Sequence, residues 1–178
     1  MIGESDLFNT AARIGRLGIL QLAKESRLVL KSILNEITIS AAANGGHLDI
    51  IKYLRKIGVQ WDWKTCANAA NSGHLEVLEW ARTNGCPWNG FTCTNAANSG
   101  HLEVMKWAGS NGCPWNGDTC EYAALNGHIE VLKWARSNGC PWDEFTCSDA
   151  ALNGHIEVLK WTRTNGCPWN ESTCVNDA

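Results

Sequence analysis

The 178-residue chain has no apolar run approaching the roughly 18–20 residues that cross a bilayer. A membrane-spanning helix is therefore excluded. Excess basic charge is also missing. Fifteen Lys and Arg face 18 Asp and Glu, for a net charge of −3. That balance leaves no electrostatic footprint for nucleic acid or an anionic membrane. The first residues, Met1-Ile2-Gly3-Glu4-Ser5-Asp6, lack a basic region followed by an apolar stretch and do not read as a secretory signal. An intracellular location, cytoplasmic or nuclear, is expected. The chain has no nucleophile elbow, no phosphate-binding glycine loop and no His-Glu-x-x-His pair. Neither an enzyme activity nor a cofactor is expected.

What the chain does contain is repetition. All five histidines fall 27 residues apart: His47, His74, His101, His128 and His155. Each follows a glycine and precedes an apolar residue and an acid. A fixed period of 20–50 residues marks a repeat architecture of stacked supersecondary units. The copies Thr119–Phe145 and Thr146–Ser172 differ at six of 27 positions. Earlier copies begin at Thr92, Thr65 and, more weakly, Thr38. A degenerate copy is visible at Ala11-Ala12-Arg13-Ile14-Gly15-Arg16, with Arg16 in the histidine slot. This register predicts one solenoid over 1–178. Its parts are a cap over 1–37, full copies over 38–64, 65–91, 92–118, 119–145 and 146–172, and a partial copy over 173–178. The partial copy predicts a fragment or an array closed by one short helix, with a fraying C-terminal end.

Each copy predicts two short antiparallel helices. The first runs from about Thr92 to Ser99, with Thr as a plausible N-cap and the pair Ala96-Ala97 allowing close helix approach. Gly100 breaks the chain. The second runs from about His101 to Asn111, with Leu102, Val104, Met105, Trp107 and Ala108 on one apolar stripe. Glu130 and Lys133 are spaced for a weak surface pair. Asn111-Gly112 and Pro114 end the helix.

Metal ligation is the sharper reading of the histidines and cysteines, but the spacing opposes it. The cysteines fall seven apart, as Cys86/Cys93, Cys113/Cys120, Cys140/Cys147 and Cys167/Cys174, with Cys66 alone. That is not the short ligand pair of a structural zinc site. Val59 occupies an earlier cysteine slot, so the thiols read as small buried hydrophobes. The histidines read as structural, each closing the turn into its second helix through a ring N–H bond to a neighbouring carbonyl. Nine of the ten tryptophans keep the register at apolar positions and read as core filling. Trp63 alone is off-register and is a candidate exposed residue.

Ala96-Ala97-Asn98-Ser99-Gly100-His101-Leu102-Glu103-Val104, followed by Gly112-Cys113-Pro114-Trp115-Asn116, resembles an ankyrin repeat. The resemblance covers essentially the whole chain. An ankyrin unit has 33 residues, and most of the missing ones fall after Asn89, Asn116, Asp143 and Asn170, where ankyrin repeats project a finger. The resemblance implies an all-α solenoid of stacked antiparallel helix pairs that binds a protein partner and has no activity of its own. It also implies contact positions. Those between the paired alanines and Gly-His are Asn71, Ser72, Asn98, Ser99, Leu125, Asn126, Leu152 and Asn153. Those just before the threonine are Lys64, Phe91, Asp118 and Phe145, with Ser172 in the same slot. Independently of the resemblance, the copies differ most in the loop and first-helix positions.

Three alternatives remain open on sequence. A leucine-rich repeat has a compatible period, and Leu75-x-x-Leu78-x-Trp80 begins its pattern, but Thr83 stands where its asparagine belongs. The cysteines could also serve a metal or redox module, or the array could be a spacer in a longer parent. The leading expectation is a monomeric scaffold for an unknown protein partner, with no nucleic acid or membrane bound.

Overall fold

Asn and Asp side chains cap the first helix of four copies, whereas the second helices of the full copies start after a histidine that makes no side-chain cap. In the computed structural model, which describes residues 4–25 and 34–169, Asp62, Asn89 and Asp143 each accept a bond from the backbone N–H two residues on. Asn35 forms a reciprocal capping box with Thr38. Such side chains satisfy amides that have no partner within the helix. The threonine expected to cap instead lies in the first turn and is buried, as at Thr65, Thr92 and Thr146. The first helix of each copy accordingly starts about two residues earlier than the threonine. Asp118 is different: Gly117 precedes its helix without a side-chain cap, and Asn116 Oδ1 accepts from Thr119 Oγ1 at 2.9 Å.

Helix ends follow one device. In each copy the glycine after the first helix takes a positive φ and the next amide bonds back across the turn, as His128 N–H to the Ala123 carbonyl at 2.8 Å. The second helix ends the same way, as Cys140 N–H to the Ala135 carbonyl at 3.0 Å. This is the Schellman arrangement, whose second residue past the cap commonly packs an apolar side chain. Val59, Cys86, Cys113, Cys140 and Cys167 occupy that place, and all are buried.

The chain divides into two compact units, Met1–Trp88 and Asn89–Ala178. The first unit holds α1 (Glu4–Arg13) with α2 (Leu17–Glu25), α3 (Glu36–Asn44) with α4 (Leu48–Lys56), and α5 (Trp63–Asn71) with α6 (Leu75–Thr83). The second unit holds α7 (Gly90–Asn98) with α8 (Leu102–Ser110), α9 (Asp118–Leu125) with α10 (Ile129–Ser137), and α11 (Glu144–Leu152) with α12 (Ile156–Thr164). In the first unit α1, α3 and α5 pack consecutively; in the second, α7, α9 and α11 do. Every described element is helical, which removes the leucine-rich alternative with its strand in each repeat. The expected C-terminal fraying, the partial copy over 173–178 and Ser172 lie outside the described residues.

The core of each unit comes from both helices of each pair. First helices contribute the alanine pairs, such as Ala96-Ala97 and Ala123-Ala124, and second helices contribute Val and Leu or Met, such as Val104-Met105 and Val131-Leu132. Alanine on the first helix is what allows neighbouring first helices to approach closely.

Tryptophan corrects the sequence reading. None of the ten is fully buried, and Trp169 is exposed. Val, Leu and Ala fill the inward stripe, leaving each indole at its edge. There the rings meet neighbours edge-on: Trp115 and Trp134 have centroids 5.9 Å apart at 61°, and Trp142 and Trp161 are 5.7 Å apart at 67°. Arg82 and Arg136 lie 4.2 and 4.1 Å over Trp88 and Trp142, a cation–π contact worth about 0.5–1 kcal/mol at such sites. Trp63 is half-buried, at the start of α5, with Lys64 Nζ 5.9 Å from its ring. The surface pair expected at Glu130 and Lys133 is present at 2.7 Å.

Candidate functional site

The ladder histidines His47, His74, His128 and His155 are each tied into the fold through one ring nitrogen. Nε2 of His47, His74, His128 and His155 lies 3.0–3.1 Å from the carbonyls of Arg13, Asn44, Asn98 and Leu125. A carbonyl only accepts, so Nε2 carries the proton. Each acceptor sits at the C-terminus of the first helix in the preceding copy. The sequence reading expected a ring N–H bond to a neighbouring carbonyl; that carbonyl belongs to the preceding copy. The reason is geometric: the histidine is the first residue past the Schellman glycine, and its side chain projects toward the adjacent helix pair. Among the described residues, no three His, Cys, Asp or Glu converge as metal ligands.

The residues proposed for partner contact separate into two sets. Lys64, Phe91, Asp118 and Phe145 lie in the first turn of α5, α7, α9 and α11 and are exposed, Phe91 at 48% and Phe145 at 54%. Ile37 occupies the same register in α3 at 56% exposure. It was missed although it directly precedes Thr38, and counting back 27 from Lys64 finds it. The C-terminal set is mostly engaged within the fold. Ser72 Oγ accepts from Asn44 Nδ2 at 2.8 Å. Asn126 Nδ2 lies 3.1 Å from Asn98 Oδ1 and 3.0 Å from the Tyr122 carbonyl. Asn153 Nδ2 donates to the Asp149 carbonyl at 2.9 Å. Asn71, Ser99 and Leu125 are half-buried, whereas Leu152 stands out at 63% exposure.

In the first unit these positions border an open groove of about 340 Å³ along α3 and α5, lined by Glu36, Ile37, Ser40, Lys64 and Asn68, with Arg13 beside it. In the second unit the surface is acidic. Glu121 stands where the other full copies carry Ser40, Ala67, Thr94 and Ser148, all small and buried. Partial burial pushes its carboxyl above the ordinary range, and Asp149, Asp118 and Asp143 push it further. Asp149 is itself raised, chiefly by burial. The sequence signal was a lone carboxylate in a column of small residues.

This repulsion has a sign that can be tested. The native pKa of Glu121 lies above its unfolded value, so ionisation weakens the fold at neutral pH and protonation relieves it. Glu121→Gln is expected to raise stability at pH 7. The gain is present above the raised native pKa and shrinks as pH falls through it toward the ordinary value of 4.5. Denaturant titrations of both proteins across pH 4–8 check this; a gain that grows on acidification contradicts it.

No family model matches the chain, and no curated protein matches it. Among solved structures it is similar to the human ASB11 ankyrin repeat domain, with a TM-score of 0.70 and 20% sequence identity, over 90% of this chain and 83% of that one. The fold is thus that of an ankyrin-repeat solenoid.

Proposed function

We propose that the chain is a non-enzymatic scaffold that binds another protein through the first-helix face of its repeats, and that its 27-residue copies are ankyrin-type units with shortened fingers. One observation carries the binding reading. A single register position is exposed in every full copy and holds Ile37, Lys64, Phe91, Asp118 and Phe145 in turn, while the threonine beside each is invariant and buried. The buried threonine stays the same in every copy, while the exposed residue before it changes from copy to copy. Exposed aromatic side chains are frequent anchors at protein interfaces, and a fold of this kind presents an extended binding surface rather than a cleft. No helix among the described residues is long and apolar enough to cross a membrane.

The clustered carboxyls of Glu121, Asp149 and Asp118 favour a partner with basic side chains opposite them. Phe91→Ala with Phe145→Ala is expected to weaken partner binding at least about tenfold, the effect of losing interface anchors, and added salt is expected to weaken it further. Affinity selection with the native chain supplies the partner, and titration calorimetry of both proteins supplies the ratio. Binding unchanged by these substitutions but lost on Trp134→Ala and Trp161→Ala would place the contact on the tryptophan ridge and refute the proposal.

A further inference from the structure

The cysteines pair in space at a different interval from the one their sequence spacing suggests. Seven-residue spacing links Cys86 with Cys93 and leaves Cys66 alone. In the fold, the cysteine after each second helix returns beneath the first turn of its own copy's first helix. Cys86 Sγ donates to the Asp62 carbonyl at 3.5 Å, Cys113 to Asn89 at 3.5 Å and Cys167 to Asp143 at 3.3 Å. Each acceptor is the residue capping the helix that carries the other cysteine, four residues on. In the copy without a side-chain cap, Cys120 Sγ reaches the Cys140 carbonyl at 4.0 Å. Cys66 and Cys86, Cys93 and Cys113, Cys120 and Cys140, and Cys147 and Cys167 lie close enough for the thiols of each pair to shift each other's ionisation. All eight are buried. The odd count of nine follows: four pairs twenty residues apart, with Cys174 in the first-helix slot of the copy that opens at Thr173.

We propose that these four pairs are disulfide-forming sites, each able to close by exchange with a low-molecular-weight disulfide and so to staple the two helices of one repeat. The thiolate of one cysteine attacks a sulfur of the small disulfide, forming a mixed disulfide and releasing one small thiolate. The second cysteine, deprotonated, attacks the protein-side sulfur and releases the other. The two cysteines together lose two electrons and two protons, and the small disulfide is reduced to two thiols. Within this last pair one thiol is readier to attack: the neighbouring Cys167 thiol brings Cys147 down to about 7, while Cys167 is pushed up. Cys86 and Cys140 are lowered in the same way by Cys66 and Cys120. The apolar surroundings favour this product over a two-thiolate metal complex, because a disulfide leaves no charge in the core. Burial makes the reaction wait on local opening, so closure is slow.

Trypsin separates the two pairings cleanly. It releases peptides 65–82, 83–106, 107–133, 137–160 and 164–178. Seven-residue bridges fall inside single peptides, whereas twenty-residue bridges join all five in series. The native chain, equilibrated with excess glutathione disulfide, alkylated and digested without reduction, is expected to give one five-peptide species that reduction resolves. Cys120→Ala is expected to divide it into a three-peptide and a two-peptide species. The oxidised protein should melt roughly 5 °C or more above the reduced one and return on reduction. Bridges within single peptides, persistent glutathione adducts, or eight thiols still free after equilibration would each overturn the proposal.

Discussion

Gly127→Ala is expected to destabilise the protein by about 3 kcal/mol or more, the combined effect of a left-handed backbone and a steric clash. Gly127 has φ of 73°, and a β-carbon there would lie 2.7 Å from the His155 ring. The ring cannot retreat without losing its bond to the Leu125 carbonyl at 3.0 Å, which would leave a helix-terminal acceptor poorly satisfied. Gly139 separates the two contributions. Its φ is 83°, but nothing lies within 4 Å of its ideal β-carbon. Gly139→Ala should therefore cost only about 1–2 kcal/mol, the backbone part alone. Urea denaturation of the two variants measures the difference; equal losses would show that the histidine contact contributes nothing.

Leu132→Ala is expected to cost about 2–5 kcal/mol, the range for removing a large buried aliphatic side chain and leaving a cavity. Leu132 is fully buried in α10, flanked within its unit by α8 and paired with α9. The chain supplies its own control, because Met105 fills the equivalent position one copy earlier and is also fully buried. Leu132→Met should therefore cost less than about 1.5 kcal/mol, as volume-conserving swaps do. Equilibrium unfolding tests both; a Met variant as unstable as the Ala variant would mean the two copies are packed differently.

The period was legible because glycine, histidine and the alanine pair are each forced by a local requirement that recurs in every copy. Helix ends were legible for the same reason. Other features depend on what the turn brings together. Threonine, aspartate and asparagine are all good caps, and only the path of the chain decides that Asp62, Asn89 and Asp143 cap while Thr65, Thr92 and Thr146 are buried. Tryptophan sits at apolar positions, yet the stripe's centre is already filled by Val131, Leu132 and Ala135, so Trp134 is displaced to the edge. The proposed cysteine partners were hidden because seven residues of sequence separate neighbours across a loop, while the twenty-residue return brings each second-helix cysteine back to the first turn of its own copy. At the candidate site, Phe91 and Phe145 were found by position, whereas Asn98 and Asn126 share a position type but serve each other.

The backward reach of each histidine gives the joint between neighbouring copies a direction. One copy offers a bare carbonyl at the end of its first helix, and the next brings an N–H to it, as from His155 to Leu125 and from His74 to Asn44. Within each unit the copies are thus plug and socket rather than mirror partners. Such a joint is indifferent to which copy stands on either side, so whole registers can be duplicated or excised with the contact restored. A cut of any other length strands a socket without its plug. An array built in this way can change length by recombination while its exposed register is rewritten one copy at a time.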